Sequence, residues 1–251
     1  MSRTQRLRLF LIAGAGAAAV VVAALMQLPA FGHYRGPYGT ILNRVAVPER
    51  RATNVVSSVV FDYRGLDTLG EEFILFAAVI GVTFLLRLQR EERPPPVEER
   101  TDEHLPVGAS DAVRVAALVL VGPVLVLGLY VVAHGHLTPG GGFQGGGVLA
   151  AAALLVYLSG RPLAIRGLDP PALLDLGEGL GAGGYVVIGL VGMIAGEAFL
   201  SNVVPLGRTV GSIVSAGTIP LLNATVGLAV WAGMVFVVYE FLEQTLLIRK
   251  R

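Results

Sequence analysis

The chain has 251 residues, of which 54% are apolar and only 15% charged, against roughly a quarter charged in an average soluble domain. A formal net charge of +1 and a mean hydropathy of +0.69 disfavour intrinsic disorder, which needs low hydrophobicity and high net charge, and nucleic-acid binding, which needs a basic patch. With no cysteine, disulfides, zinc–thiolate sites, iron–sulfur ligation and a cysteine nucleophile are excluded, and the surplus of apolar residues over what one soluble core could hide reads as a polytopic membrane protein.

Six apolar segments are long enough to cross a ~30 Å hydrocarbon layer at ~1.5 Å per residue. They lie near residues 9–28, 69–88, 113–133, 143–158, 180–200 and 221–247, the fourth being the shortest. The expected fold is therefore an all-α integral membrane protein with about six transmembrane helices. The first segment has an alternative reading as a secretory signal, since Arg3, Arg6 and Arg8 precede it. Its apolar stretch is longer than a signal h-region, however, and Pro29 sits unfavourably beside the possible cut. Placing the N-terminus inside puts thirteen Lys and Arg residues on the cytoplasmic side and six outside. Both termini are accordingly expected to be cytoplasmic. Between the second and third spans, Arg90-Glu91-Glu92-Arg93, Pro94-Pro95-Pro96 and Glu98-Glu99-Arg100 make a charged, proline-stiffened stretch without apolar periodicity. The chain thus divides into a two-span piece over residues 1–90, a linker over 91–111 and a four-span piece over 112–251.

The most unusual segment is His134-Gly135-His136-Leu137-Thr138-Pro139-Gly140-Gly141-Gly142-Phe143-Gln144-Gly145-Gly146-Gly147. Gly140, Gly142 and Gly145 match GxGxxG formally, but a dinucleotide site needs a strand before and a βαβ helix after, and here two membrane spans flank the loop. A P-loop fails because Lys250 is the only lysine. The glycines can let the backbone turn tightly and let the fourth span press against another backbone; alternatively, exposed N–H groups at a broken helix can meet an ion. His134 and His136 lack an obvious third ligand, so a metal is not expected. His136 is a candidate for proton relay or an interfacial residue with satisfied hydrogen bonds.

A second polar island precedes the second span, from Asn54 through Asp62, Arg64, Asp67 and Thr68 to Glu71 and Glu72. Its valines recur at helical spacing, although their β-branching leaves a strand open. Thr68 and Glu71 fit a capping box; Glu71 beside Asp67 would equally suit ion or proton entry at the mouth of a span. Glu197 falls in the fifth expected span, where an ionisable group is by default a functional candidate, or else reaches the interface. Gly177, Gly179, Gly181, Gly183 and Gly184 have spacings suited to close helix packing. Asp169-Pro170-Pro171 supplies an N-cap and first-turn prolines for a short interfacial helix ahead of that span, and Glu240 and Glu243 read as a solvated face. No lysine lies in any span and no chain of Lys, Glu or His runs through the midplane, as a self-sufficient proton pump would need. The pattern is that of an accessory subunit.

On these residues the chain resembles a known family. Gly135, His136, Pro139, Gly140, Gly141, Gly142, Phe143, Gln144, Gly145 and Gly146 are similar to the signature loop of the MnhB (MrpB) subunit of multisubunit Na+/H+ antiporters. Asn54, Val55, Val56, Asp62, Arg64, Gly65, Asp67, Thr68, Leu69, Gly70 and Glu71 resemble a stretch of the C-terminal extension of the large (MrpA) subunit of these antiporters and of the small MbhE-like subunit of membrane-bound hydrogenases; Tyr63 and Leu66 depart from expected Phe positions. The resemblance implies a hetero-oligomeric complex in a prokaryotic cell (inner) membrane, exchanging cytoplasmic Na+ for protons, with other antiporter subunits and the lipid bilayer as partners. It implies no cofactor, no catalytic residue and no nucleic acid. The alternative is a membrane-arm subunit of a related energy-converting redox complex such as a membrane-bound hydrogenase. An independent channel would need the relay that is missing.

Overall fold

The structure is a computed structural model and describes residues 3–28, 36–86, 110–159 and 170–248. Regular structure among them is helical throughout. The chain separates into two compact units, Met1–Ile41 and Leu42–Arg251. The first contains α1 (Arg3–Met26), a helix of Leu, Ala and Val without an interior proline. Its apolar stretch Leu7–Met26 buries none of its residues, as fits a helix that faces lipid or another chain.

The boundary between the units falls within α2 (Tyr38–Arg50), and the second unit continues with the one-turn α3 (Val55–Ser58), a π-helical turn over Val59–Tyr63, and α4 (Gly65–Leu86). It is completed by α5 (Asp111–Ala133), α6 (Gly142–Leu158), α7 (Pro170–Ile194) and α8 (Ile219–Ile248). Among the described residues, five helices are long and apolar enough to span a membrane, and α6, at 17 residues, is a shorter apolar helix. The expected linker lies almost wholly outside the described residues; its last residue, Asp111, already belongs to α5, whose N-cap Ser110 accepts from the Val113 N–H at 3.4 Å.

At the centre stands α8, which packs against α4, α5, α6 and α7. Its residues Ile219, Leu222, Val226 and Val230 form one core with Phe61, Tyr185 and Leu200, and Ala232 and Val235 form another with Ala150 and Leu174. Ile219, Leu222, Val226 and Val230 share one face of α8, whereas Ala232 and Val235 lie on roughly the opposite one, so this central helix is buried on two sides. The outward faces of α4 and α5 carry exposed Phe73, Ile74, Phe84, Val119, Val126 and Leu129.

Four expectations from the sequence are corrected here. The strand alternative for the valines after Asn54 is lost, because the Asn54 side chain accepts from the Val56 and Ser57 N–H groups and starts a helix. Thr68 is no N-cap: α4 begins three residues earlier, and the Thr68 hydroxyl donates back to Val60 O at 2.7 Å. The prolines at 170 and 171 open α7 itself, which runs without interruption into the span, so there is no separate interfacial helix; Asp169 lies outside the described residues. Finally, Glu197 is not inside the fifth span. Gly196, at φ 84°, ends α7 in a Schellman closure, with Gly196 N–H bonded to Met193 O and Glu197 N–H to Gly192 O, both at 3.0 Å. Glu197 therefore stands beyond the helix end, exposed.

Candidate functional site

The two polar islands, some eighty residues apart in sequence, meet in space. The Asn54 amide donates to Gly135 O at 2.7 Å and to Thr138 O at 3.0 Å, its backbone N–H to His136 O at 3.1 Å, and the Thr53 hydroxyl to Leu137 O at 2.5 Å. The α2–α3 junction thereby closes over the turn that follows α5 and satisfies carbonyls that a short, glycine-rich loop cannot satisfy internally. Asn223, fully buried on α8, ties both islands together. Its Oδ1 accepts from Gly142 N–H at 2.9 Å, and its Nδ2 donates to Ser57 Oγ at 3.2 Å and Ile219 O at 3.1 Å.

The signature glycines are placed by contact. Pro139 leads into Gly140 and Gly141, at φ 142° and 138°, where L side chains are strained. A Cβ on Gly142 would lie 2.5 Å from Asn223 O and 2.6 Å from Val226 Cβ, and one on Gly146 2.7 Å from Gly227 O. Gly145 would meet the Val132 side chain and Gly128 O. Successive glycines thus seat α6 against α8 on one side and α5 on the other. Phe143 packs on the edge of the α8 core, and Gln144 follows exposed, its Oε1 3.3 Å from the Cβ position of Gly141. On α7 the same logic holds at Gly177, Gly181 and Gly184, which face Ala232, Ala229 and Thr225, whereas Gly179 and Gly183 face open space.

His136 is fully buried in the loop. Its Nε2 lies 3.4 Å from Ser212 O and its Nδ1 has no partner. Burial, more than any other influence, pushes its pKa below the usual 6.5, against the raising effect of the Ser212 and Ile213 carbonyls. A group with a depressed pKa stays neutral in the folded loop while the unfolded chain takes up protons, so its contribution to stability is lost as pH falls below about 6.5. Thermal unfolding of the purified protein should therefore shift to lower temperature on acidification through that range, and His136→Gln should flatten the dependence; an unchanged slope would assign it to other groups.

A third cluster supports the loop between α7 and α8. Asp62 forms an ion pair with Arg50, Oδ1 to Nε at 2.9 Å, and its Oδ2 accepts from Asn202 Nδ2 at 2.9 Å. Asn202 in turn bonds Ala216 O and Thr218 N–H. Arg51 reaches Gly207 O and Arg208 O. The Arg50 guanidinium covers the Tyr63 ring at 4.9 Å, and the Tyr63 hydroxyl donates to Glu49 at 2.5 Å. Burial, then that bond, pushes Tyr63 up to about 12.

Of the acidic candidates, Asp67 is exposed and paired with Arg64, and Glu71 is exposed on the outer face of α4. Together with Glu197 they are not gathered into one site by any hydrogen bond or ion pair among the described residues. What sequence reasoning passed over is the next residue, Glu72, which is 2% exposed, together with Glu178 on α7, 8% exposed, and Tyr185, whose hydroxyl donates to Gly65 O at 2.8 Å. The available signal was helical phase: Thr68, Glu72 and Val79 share the buried stripe of α4, and Leu174, Glu178, Gly181 and Tyr185 that of α7.

Two family models match the chain in order: MbhE, of the MBH complex, over residues 1–101, and the domain related to the MnhB subunit of Na+/H+ antiporter over residues 112–236. An uncharacterized protein of Methanocaldococcus jannaschii is 32% identical over 206 residues, 77% of this chain and 78% of that protein. A probable K+/H+ antiporter A/B subunit of Rhizobium meliloti is 32% identical over 174 residues, which are 63% of this chain but 17% of that protein. Among solved structures, a chain of the membrane-bound sulfane sulfur reductase, an archaeal respiratory membrane complex, superposes with a TM-score of 0.67 at 30% identity, covering 95% of this chain and 98% of its own. A chain of the Mrp complex from Dietzia sp. gives 0.65 at 27% identity over 96% of this chain and 26% of its own. This chain is a multi-pass membrane protein that belongs to the MnhB-related family of antiporter subunits, with a segment of the MbhE type ahead of it.

Proposed function

We propose that the chain is an accessory membrane component of a multisubunit monovalent cation/proton antiporter, working in a prokaryotic cell membrane and exchanging Na+ for protons only as part of the whole complex. The observation that carries this reading is the order and union of its two parts: an MbhE match precedes an MnhB match, and the two motifs are hydrogen-bonded to each other through Asn54 and Asn223. In this reading the loop from His136 to Gly146 is a joint. It holds α5, α6 and α8 at backbone contact so that exposed apolar faces of α4 and α5 are presented to other subunits and lipid. The two-plus-four division and cytoplasmic termini belong to the same proposal.

A second reading, a membrane-arm component of an energy-converting redox complex, is favoured by the near-complete coverage of the sulfane sulfur reductase chain. Affinity purification of the tagged protein from its native membrane, with mass spectrometry of what accompanies it, separates the two. Antiporter subunits without redox proteins are expected; iron–sulfur or other electron-transfer subunits would establish the second reading instead. Glu197, in its exposed turn, serves at most the aqueous end of a path. Glu197→Gln should accordingly leave exchange within about twofold of wild type, a barrier change of about 0.4 kcal/mol or less, and a large loss would return it to the path.

A further inference from the structure

The helices α4 and α7 run antiparallel, which follows from two contacts. At one level the Tyr185 hydroxyl bonds Gly65 O; at another, Glu178 Oε1, Val79 and Leu75 converge on Gly233 of α8, at 3.6, 3.0 and 4.0 Å from its Cβ position. Seven residues from the first contact along each helix, about 10 Å at 1.5 Å per residue, stand Glu72 and Glu178. By helical rise their backbones stand at about the same level on packed helices, and Glu178 is close enough to act electrostatically on Glu72. Each has an Oε1 that is buried and without a hydrogen-bond partner, and no ion pair to either is formed among the described residues.

Two ionised carboxylates cannot be left in that state. An unpaired charge in an apolar interior costs several kcal/mol even after relaxation, and here the pair would also repel. Nor does packing explain them, since a leucine or methionine on either helix would fill the same face without an orphaned oxygen. Among the described residues, the titratable groups near them are the buried Tyr185 on α7 and, on the exposed faces of their own helices, Asp175 on α7 and Glu71 on α4; position 233 on α8, beside Glu178, is glycine. None is a cation.

We propose that Glu72 and Glu178 form an intramembrane proton-binding pair at the junction of α4, α7 and α8, taking up and releasing protons during cation exchange. The inference rests on the antiporter reading for its role and on the geometry for its existence. It places a protonatable site inside this chain, on the neighbour of the motif residue Glu71 and on a helix of the MnhB-related part.

The test uses the purified complex in proteoliposomes, with cation-driven proton movement followed by a pH-sensitive dye. Glu72→Gln and Glu178→Gln keep shape and remove the proton-binding function. Each should lower exchange by about tenfold or more with partner subunits recovered at wild-type yield, and the double variant should be no slower than the slower single one, as for residues acting as a unit. Wild-type rates in both single variants would overturn the proposal. Should a variant fail to assemble, dicyclohexylcarbodiimide labelling of the wild-type complex decides, because this apolar reagent modifies protonated carboxyls in membranes. An adduct at Glu72 or Glu178 that declines as pH rises is expected, and no adduct at either overturns the pair. A wild-type complex that exchanges no cation for protons would instead defeat the antiporter reading, leaving the labelling to judge the pair on its own.

Discussion

Gly142→Leu is expected to abolish recovery of the assembled protein, whereas Gly147→Ala, in the same glycine run, should be tolerated. At 142 the first added carbon would sit 2.5 Å from the Asn223 carbonyl oxygen and 2.6 Å from Val226 Cβ. Both belong to the central helix, so relief requires moving backbone on α6 or α8 rather than turning a flexible side chain. Overpacking of well-filled cores typically costs about 1–3 kcal/mol; with backbone on one side of the clash, about 4 kcal/mol or more is expected. At 147 the nearest atom is Met234 Sδ at 3.8 Å. There alanine fits, and by lowering backbone entropy in the unfolded chain it should stabilise α6 by up to about 1 kcal/mol. Complex yield after detergent extraction, with the thermal midpoint of what is recovered, checks both. Equal tolerance at the two positions would defeat the account of Gly142 as a backbone contact.

Asn223→Leu should be the most damaging single change of a polar side chain in the joint. It removes the acceptor of Gly142 N–H, which at the start of α6 has no helical partner of its own, together with the donor to Ser57 Oγ and Ile219 O. A buried donor left unsatisfied costs about 1–3 kcal/mol, and the loss of the further bonds brings the total to about 2–4 kcal/mol. Ser57→Ala deletes one of those bonds and frees no backbone group, so about 1 kcal/mol is expected. The thermal midpoints of the two variants should differ accordingly. If Ser57→Ala were as harmful as Asn223→Leu, the weight would lie on the Ser57 contact and not on the hub.

Much of the fold was legible because membrane spans are selected by length and hydropathy, which are local. The apolar runs that became α4, α5, α6 and α8 announce themselves in this way. The end of α7 was legible too, in Gly196, but a continuous apolar run from 180 to 200 overrode it. The run continues because the residues after Gly196 fold back onto the helix end, with Phe199 and Leu200 against Gly189. Apolarity there reports burial rather than span. Thr68 misled for a related reason: its hydroxyl bonds Val60 O across the π-helical turn, a geometry that no capping rule anticipates.

By itself the sequence determined an all-helical membrane chain, the order of its parts and the two polar islands, because composition, periodicity and glycine spacing act within one helix turn or loop. Only the tertiary structure decided that the islands are one joint around Asn223, and that the buried carboxylate of α4 is Glu72 and not Glu71. Adjacent residues on a helix point about 100° apart, so one faces the interior while the other faces out. Which does so depends on how α4 is rotated against α7 and α8, and that rotation is fixed by packing between segments more than a hundred residues apart, beginning with the Tyr185–Gly65 bond.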